Sequence, residues 1–252
     1  MTSTRISLMS HLIPFFPDLD TSLKIAGIMA ESGADILEVQ FPYSDPTADG
    51  PVIQEACSTA LENGFTVAHG FRFLEDLARS SGTSIYLMVY AGLLYAGGIV
   101  PFIERAKKAG VSAIIVPDLP VDQDEGFFSA AKDAEIDPVP VLSPGMTDQR
   151  METVMEAAGS TVYATLRSGI TGSKTSLGDE NIGFLKKLNT YGKKVMAGFG
   201  VNSRELALSV SEYADTVVAG SVFMAPFLID RENGLQELRV YLKSIIHGEH
   251  LF

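Results

Sequence analysis

The 252-residue sequence lacks several features that would each indicate a particular class of protein. Its single cysteine, Cys57, cannot form an intrachain disulfide, which is typical of proteins kept in a reducing cytosol. No apolar run approaches the roughly 20 residues that cross a bilayer, and residues 1–18 lack the layout of a signal peptide. We therefore expect a cytoplasmic protein with no membrane partner.

Basic residues are also scarce, with 19 Lys and Arg against 31 Asp and Glu, which gives a net charge of −12. Such a charge disfavours nucleic acid as a partner. The four histidines are scattered, no His/Cys cluster has zinc spacing, and neither a phosphate-binding P-loop nor a G-x-S-x-G motif occurs. We expect no metal in this chain. Because no low-complexity or linker-like tract interrupts it, we expect one domain over residues 1–252.

Short apolar or β-branched segments alternate with longer segments of helical periodicity. The candidate strands are 12–16, 36–40, 84–90, 113–118, 137–143, 161–167, 195–199 and 215–219. The candidate helices surround Leu23–Ala30 and cover 52–63, 66–80, 98–109, 122–134, 147–158, 180–190, 202–211 and 222–229.

This alternation, with nearly continuous apolar strands, predicts a parallel sheet covered on both faces. A (β/α)8 TIM barrel takes roughly 250 residues, so the chain fits a single barrel with little to spare. Extra helices are expected at the N-terminus, after strand 2 and, as a short one, after strand 8. The alternative is an open doubly wound sheet, although the glycine-rich dinucleotide fingerprint is missing after the first strand.

Two carboxylates lie in the second strand and in the loop after it, towards the end of the barrel where such folds carry their chemistry. In 36–40, Glu38 lies on the face opposite to Leu37 and Val39. A carboxylate among apolar residues is costly to bury unpaired, so Glu38 is a candidate general acid/base, or else a structural partner of a buried Lys or Arg. The proline-rich loop 41–51 would hold Asp49 as a rigid hydrogen-bond acceptor, or Asp49 is simply part of a helix cap.

Glycine-rich segments follow the last three strands. Tyr163 and Arg167 share a strand face before the Gly-, Ser- and Thr-rich segment 168–178, which is typical of a lid over a ligand and also of a plain surface loop. Residues 198–200 and 219–221 occupy the strand ends where barrels bind phosphate. Since the whole protein is acidic, a phosphate would need local donors such as open backbone N–H groups.

The segment LEVQFPYSDPTADGPVIQ at 37–54 resembles the signature of the tryptophan synthase alpha chain family, in which an Asp follows a Glu by eleven positions. The resemblance continues through VPDLP at 116–120, YATLRSGITG at 163–172, AGFGVNS at 197–203 and ADTVVAGS at 214–221. It covers nearly the whole chain in order, and the family fold is a (β/α)8 barrel.

The resemblance implies a lyase that splits indole-3-glycerol phosphate into indole and glyceraldehyde 3-phosphate. It implies that Glu38 is the catalytic acid/base and that Asp49 binds the indole N–H. The remaining residues that it implies are, for the substrate, Phe15, Met88, Tyr90, Ile115, Tyr163 and Phe199; for the phosphate, Gly172, Gly200, Gly220 and Ser221; and for the lid and signalling, Asp45, Arg167 and Thr171.

The resemblance further implies a partner, a tryptophan synthase beta subunit that carries pyridoxal phosphate, in an α2β2 heterotetramer. No cofactor is expected in this chain.

Four departures from the family pattern cluster near the expected site. Gln40 and Gly92 replace a Gly and an Asn, and Leu166 replaces a Ser. The first strand's exit, P-F-x-T-x-G-x-P in the family, is expected to have lost about four residues after Pro14-Phe15. The alternative function is therefore a cleavage-impaired regulatory subunit that binds and activates the beta subunit, and a third is another phosphate-binding barrel enzyme.

Overall fold

The computed structural model describes residues 5–166, 177–198 and 200–248. Within these ranges nine parallel strands form one sheet, and eleven helices accompany it. The strands are β1 (Leu8–Leu12), β2 (Ile36–Gln40), β3 (Ser84–Met88), β4 (Val111–Ile115), β5 (Asp137–Val139), β6 (Val141–Leu142), β7 (Thr161–Thr165), β8 (Lys194–Gly198) and β9 (Thr216–Ala219). The helices are α1 (Leu19–Glu31), α2 (Pro51–Glu62), α3 (Val67–Ser80), α4 (Ala91–Ala96), α5 (Ile99–Lys108), α6 (Phe127–Asp133), α7 (Asp148–Ala157), α8 (Asp179–Asn189), α9 (Arg204–Ser211), α10 (Ser221–Ile229) and α11 (Arg231–His247).

The sheet closes on itself through Pro140. The strand order is β5-β4-β3-β2-β1-β9-β8-β7-β6, and its two ends, β5 and β6, are separated in sequence by Pro140 alone. Proline has no N–H to donate to a ladder, whereas its carbonyl accepts a bond from Tyr163 N at 3.0 Å. β5 and β6 therefore share one of eight strand positions around the ring. The predicted (β/α)8 barrel is confirmed, and the open sheet is excluded.

Apolar side chains form two layers, as the alternation in β2 predicts. Leu37 and Val39 are fully buried in the large cluster between the sheet and the helices. Inside the barrel a smaller cluster contains Met9, Met88 and Met196, with Ile36 packed against it. Glu38 follows Ile36 by one pleat repeat, so it stands above this inner cluster at the C-terminal mouth.

The extra helices follow the prediction in two places out of three. α2 and α3 both follow β2, and α10 follows β9, as expected. No helix precedes β1 within residues 5–7, and residues 1–4 lie outside the described residues. The expected N-terminal helix therefore stays a prediction, and the helices α4 and α11 were not expected. None of the described helices is long and apolar enough to cross a membrane.

The first strand lies earlier than predicted. β1 ends at Leu12, so the expected strand 12–16 is mostly its exit loop. With this register the eight positions of P-F-x-T-x-G-x-P fall without a gap on residues 10–17, and Pro17 takes the final proline. The expected four-residue deletion is thus wrong. Phe15 occupies the glycine position with φ 68°, and Ser22 accepts a hydrogen bond from its N–H at 3.1 Å.

Candidate active site

A cavity of about 240 Å³ opens at the C-terminal ends of the strands. Its floor includes Met88 and Val218, which belong to the inner cluster of the barrel. The other lining residues are His11, Glu38, Asp49, Gly50, Pro51, Val52, Ile53, Tyr163, Gly200, Gly220 and Ser221. The cavity thus combines apolar walls with two carboxylates and a histidine, which is the composition of a small-molecule site.

Glu38 is held by a histidine from the neighbouring strand. The register of β1 and β2 places His11 opposite Glu38, and His11 Nδ1 donates to Glu38 Oε2 at 3.0 Å. Both residues are buried, with 5% of His11 and 1% of Glu38 exposed. Within the described chain, His11 Nε2 and Glu38 Oε1 have no hydrogen-bond partner. The pair therefore leaves one donor or acceptor on each side chain for a ligand.

The surrounding charges favour the protonated form of this histidine. Burial opposes a charged imidazole, but the hydrogen bond to Glu38 and the negative charges of Glu38 and Asp49 outweigh it and raise the pKa of His11 above 6.5. Burial, reinforced by the same two carboxylates, raises the pKa of Tyr163 well above its ordinary value. Tyr163 therefore remains a neutral phenol in the cavity.

Asp49 is fixed by two side chains that bind the same oxygen. Gln40 Nε2 donates to Asp49 Oδ2 at 2.8 Å, and the Tyr90 hydroxyl donates to it at 2.7 Å. The Tyr90 hydroxyl also accepts a bond from Ala48 N at 3.1 Å, which ties the loop to β3's exit. Both donors bind Oδ2, and neither donor residue lines the cavity. The carboxylate of Asp49 therefore faces the cavity in one orientation.

A stacked ring supports Tyr90. Tyr43 lies parallel to Tyr90 with ring centroids 5.1 Å apart and an interplanar angle of 12°. A Cβ at Gly92 would lie 2.7 Å from the Tyr43 hydroxyl oxygen, so a larger residue there would collide with this ring. Gly92 is therefore explained by the space that Tyr43 needs.

The opposite side of the cavity is formed by backbone at the start of α10. Gly220 is the N-cap of α10 and has no side chain, so no side-chain cap occupies the N–H groups of the first turn. Ser221 and Gly200, which has φ 78°, also line the cavity. No Lys or Arg belongs to the lining among the described residues. A helix N-terminus is an anion-binding element in its own right.

Comparison with known proteins shows which family has this sequence and fold. The sequence profile described as tryptophan synthase alpha chain matches residues 1–244. The chain belongs to the tryptophan synthase alpha chain family. It is 38% identical over 224 residues to the alpha chain of Helicobacter hepaticus, covering 86% of this chain and 84% of that one. It is 33% identical over 241 residues to that of Syntrophotalea carbinolica, covering 95% and 94%.

Solved structures of tryptophan synthase share the fold. A chain from the α2β2 complex of Pyrococcus furiosus superimposes with a TM-score of 0.90 at 30% identity, covering 97% of this chain and 99% of that one. A chain from Mycobacterium tuberculosis tryptophan synthase gives 0.87 at 27% identity, covering 99% and 94%.

The barrel brings together seven of the family-implied residues at this cavity: Glu38, Asp49, Met88, Tyr163, Gly200, Gly220 and Ser221. Asp45 lies exposed in the loop before α2 and does not line the cavity. Four further candidates lie outside the described residues: Arg167, Thr171, Gly172 and Phe199.

Three residues expected in the pocket are placed elsewhere. Phe15 stacks on His69 with centroids 5.5 Å apart, because the corrected register of β1 moves it into the exit loop. Tyr90 stands behind Asp49, and Ile115 is fully buried in the inner cluster. Leu166, one of the family departures, packs in the outer core and not at the mouth.

His11 is a polar residue of the cavity that the sequence did not indicate. The register that aligns Pro17 with the motif's last proline places His11 on its phenylalanine. The signal was therefore available, but the apolar run at 12–16 placed the strand four residues too far along.

Proposed function

We propose that this chain cleaves indole-3-glycerol phosphate to indole and glyceraldehyde 3-phosphate. The observation that carries the proposal is the convergence of Glu38, Asp49 and the open N-terminus of α10 on one cavity. Two carboxylates serve the reacting end, and a helix N-terminus serves the phosphate end. Met88 and Val218 form an apolar floor, which suits the indole ring of the substrate.

Glu38 and Asp49 divide the proposed chemistry. In the proposed step Glu38 takes up a proton when the substrate binds and gives it to the indole carbon that bears the glycerol chain. The ring becomes a cation whose charge reaches the N–H. Asp49 accepts that N–H and stabilises the charge. The Glu38 carboxylate then takes the proton of the adjacent glycerol hydroxyl. The O–H electrons form the aldehyde, the C–C bond breaks and its electrons return to the ring, so neutral indole leaves and Glu38 is protonated again.

The phosphate is held by local backbone donors in an acidic protein. With a net charge of −12, the global field repels an anionic substrate. Gly220 and Ser221 supply N–H groups at the end of a nine-residue helix, where the macrodipole attracts negative charge. Gly172 and the lid residues Arg167 and Thr171 complete this proposal on sequence grounds.

The proposal includes a partner. The P. furiosus relative is part of an α2β2 complex, and we assign this chain a pyridoxal-phosphate-dependent beta subunit in the same kind of heterotetramer. The exposed Asp45 loop is the contact that we assign to it. The chain itself would need no cofactor, since acid/base groups suffice for its step, and its place would be the cytoplasm.

The test is indole release from indole-3-glycerol phosphate by the chain with its beta subunit. We expect turnover in the wild type and a loss of at least about 100-fold in kcat for Glu38→Gln and for Asp49→Asn, in line with general acid/base contributions. Normal turnover in both variants would overturn the assignment. No turnover in the wild type, with stimulation of the serine-plus-indole reaction, would instead support the regulatory alternative; no comparison favours that alternative specifically.

A further inference from the structure

We propose that His11 binds a hydroxyl of the substrate's glycerol chain through Nε2 while its Nδ1 holds Glu38 in place. This inference rests on the proposed function and names a substrate contact within that site. His11 would then be both a substrate-binding and a positioning residue.

The first observation is an unpartnered polar atom in a buried place. His11 is 5% exposed and lines the cavity, yet its Nε2 has no hydrogen-bond partner within the described residues. A buried polar group without a partner has lost its hydrogen bonds to water without replacement, which destabilises the unliganded site. A ligand that fills the cavity with a polar atom beside Nε2 would remove this cost.

The second observation is where the ring stands between the two ends of the site. On one side His11 Nδ1 is 3.0 Å from Glu38 Oε2. On the other, a Cβ at Gly220 would lie 3.0 Å from His11 Cβ and 3.5 Å from its Cδ2, the ring carbon bonded to Nε2. A substrate that reaches from Glu38 to the start of α10 must pass this ring. In indole-3-glycerol phosphate, the connecting segment is the hydroxyl-bearing glycerol chain.

The third observation is the shortage of other suitable groups. Among the described lining residues His11 is the one side chain that can carry positive charge. The ionisable groups that face it are Glu38 from β2, Asp49 from the loop before α2, and Tyr163 from β7. None of these three groups can carry positive charge, so His11 Nε2 is the atom that can bind a substrate hydroxyl without adding negative charge to the site.

Three substitutions of His11 distinguish the role of Nδ1 from that of Nε2. His11→Phe introduces the residue of the family motif and removes both. In His11→Asn the amide lies where Nδ1 was, and in His11→Gln it reaches the position of Nε2. His69→Phe is the matched control, because His69 stacks on Phe15 outside the cavity. Melting temperatures establish that each variant folds.

The readouts are kcat/KM for indole-3-glycerol phosphate and the Ki of 3-(indol-3-yl)propyl phosphate, which lacks the hydroxyls, with the beta subunit present. For His11→Phe we expect kcat/KM to fall about 10- to 100-fold, as for loss of a hydrogen bond to a buried group. The Ki of the propyl analogue should change by less than about threefold, because it never made that bond. Compared with His11→Phe, His11→Gln should have a lower KM, because its amide can bind the substrate hydroxyl in place of Nε2. His11→Asn should have a higher kcat than His11→Phe, because its amide can hold Glu38 in place of Nδ1.

Equal losses for both ligands, or unchanged kcat/KM in His11→Phe, would overturn the proposal. If the wild type releases no indole, the proposed function fails and the comparison is made with uncleaved indole-3-glycerol phosphate by calorimetry. A selective loss of its binding in His11→Phe, with the propyl analogue unaffected, then still supports the contact. Equal loss of both ligands contradicts it.

Discussion

Gln40 Nε2 donates to Asp49 Oδ2 across 2.8 Å, from a position behind the carboxylate that faces the cavity. Gln40 is fully buried and is absent from the cavity lining. The amide that replaces the family's glycine therefore leaves the pocket open. It orients one of the two carboxylates, so the departure is compatible with activity.

Replacing Gln40 by Leu should reduce activity more than stability. The variant loses one donor to Asp49, while Tyr90 keeps the other, so we expect kcat/KM for indole release to fall about tenfold. Gln40 Oε1 has no partner among the described residues, and its removal offsets the lost bond in the free energy of unfolding. Gln54→Leu, in an exposed side chain that donates to the Asp49 carbonyl, is the control. A drop in melting temperature that accounts for the lost activity would contradict this role.

Tyr90→Phe should reduce both activity and stability more than Gln40→Leu does. It removes the donor to Asp49 and also the acceptor of Ala48 N–H, although the stacking on Tyr43 remains. We expect a loss of about 1–2 kcal/mol in the free energy of unfolding and a lower kcat/KM than in Gln40→Leu, measured by denaturant titration and indole release. Tyr95→Phe, whose hydroxyl makes a long 3.4 Å bond, controls for loss of a phenol. Burial and the bond to Asp49 raise the pKa of Tyr90, so the wild-type donor persists at any working pH.

Gly220→Ala should weaken phosphate binding. The added methyl group would lie 3.0 Å from His11 Cβ, at the cavity face of α10's first turn. We expect KM to rise about tenfold or more, since close approach of the backbone to the phosphate is lost. Gly27→Ala is the control, because nothing lies within 4 Å of its Cβ position and alanine favours the helix interior. Should both variants show the same KM, the phosphate site must lie elsewhere.

The pair of His11 and Glu38 should make stability depend on pH in a defined direction. The pKa of His11 is raised in the folded protein above 6.5, so the folded state binds more protons in that range. The stabilisation is complete below 6.5 and is lost as the pH rises through the higher folded value. The unfolding free energy of the wild type minus that of His11→Asn should therefore shrink from pH 6 to pH 9. The same pair of measurements in a Glu38→Gln background should show a smaller change, and an unchanged difference there would contradict the pairing.

The sequence predicts those parts of the fold that depend on residues close to one another along the chain. The strand 36–40 was predicted with its correct bounds, because alternation between Leu37, Val39 and their neighbours is a property of consecutive residues. β1 was misplaced because the apolar run at 12–16 continues past the strand into its exit loop. Met9 packs in the inner cluster against residues of other strands, and His11 lies opposite Glu38 of β2, so the register of β1 depends on other strands. The helix α11 was not predicted from the sequence. In the structure it packs on α10 and α1.

The sequence by itself determined the barrel, the two carboxylates and the glycine-rich strand ends, since each depends on local periodicity or on spacing along the chain. Only the tertiary structure decided which side chains hold those carboxylates. His11 meets Glu38 across 27 residues and Tyr90 meets Asp49 across 41. Such contacts are set by strand register and barrel closure, which no short stretch of sequence encodes. The physical reason is that a hydrogen bond is decided within a few tenths of an ångström, and a shift of one residue turns a strand's side chains to the other face.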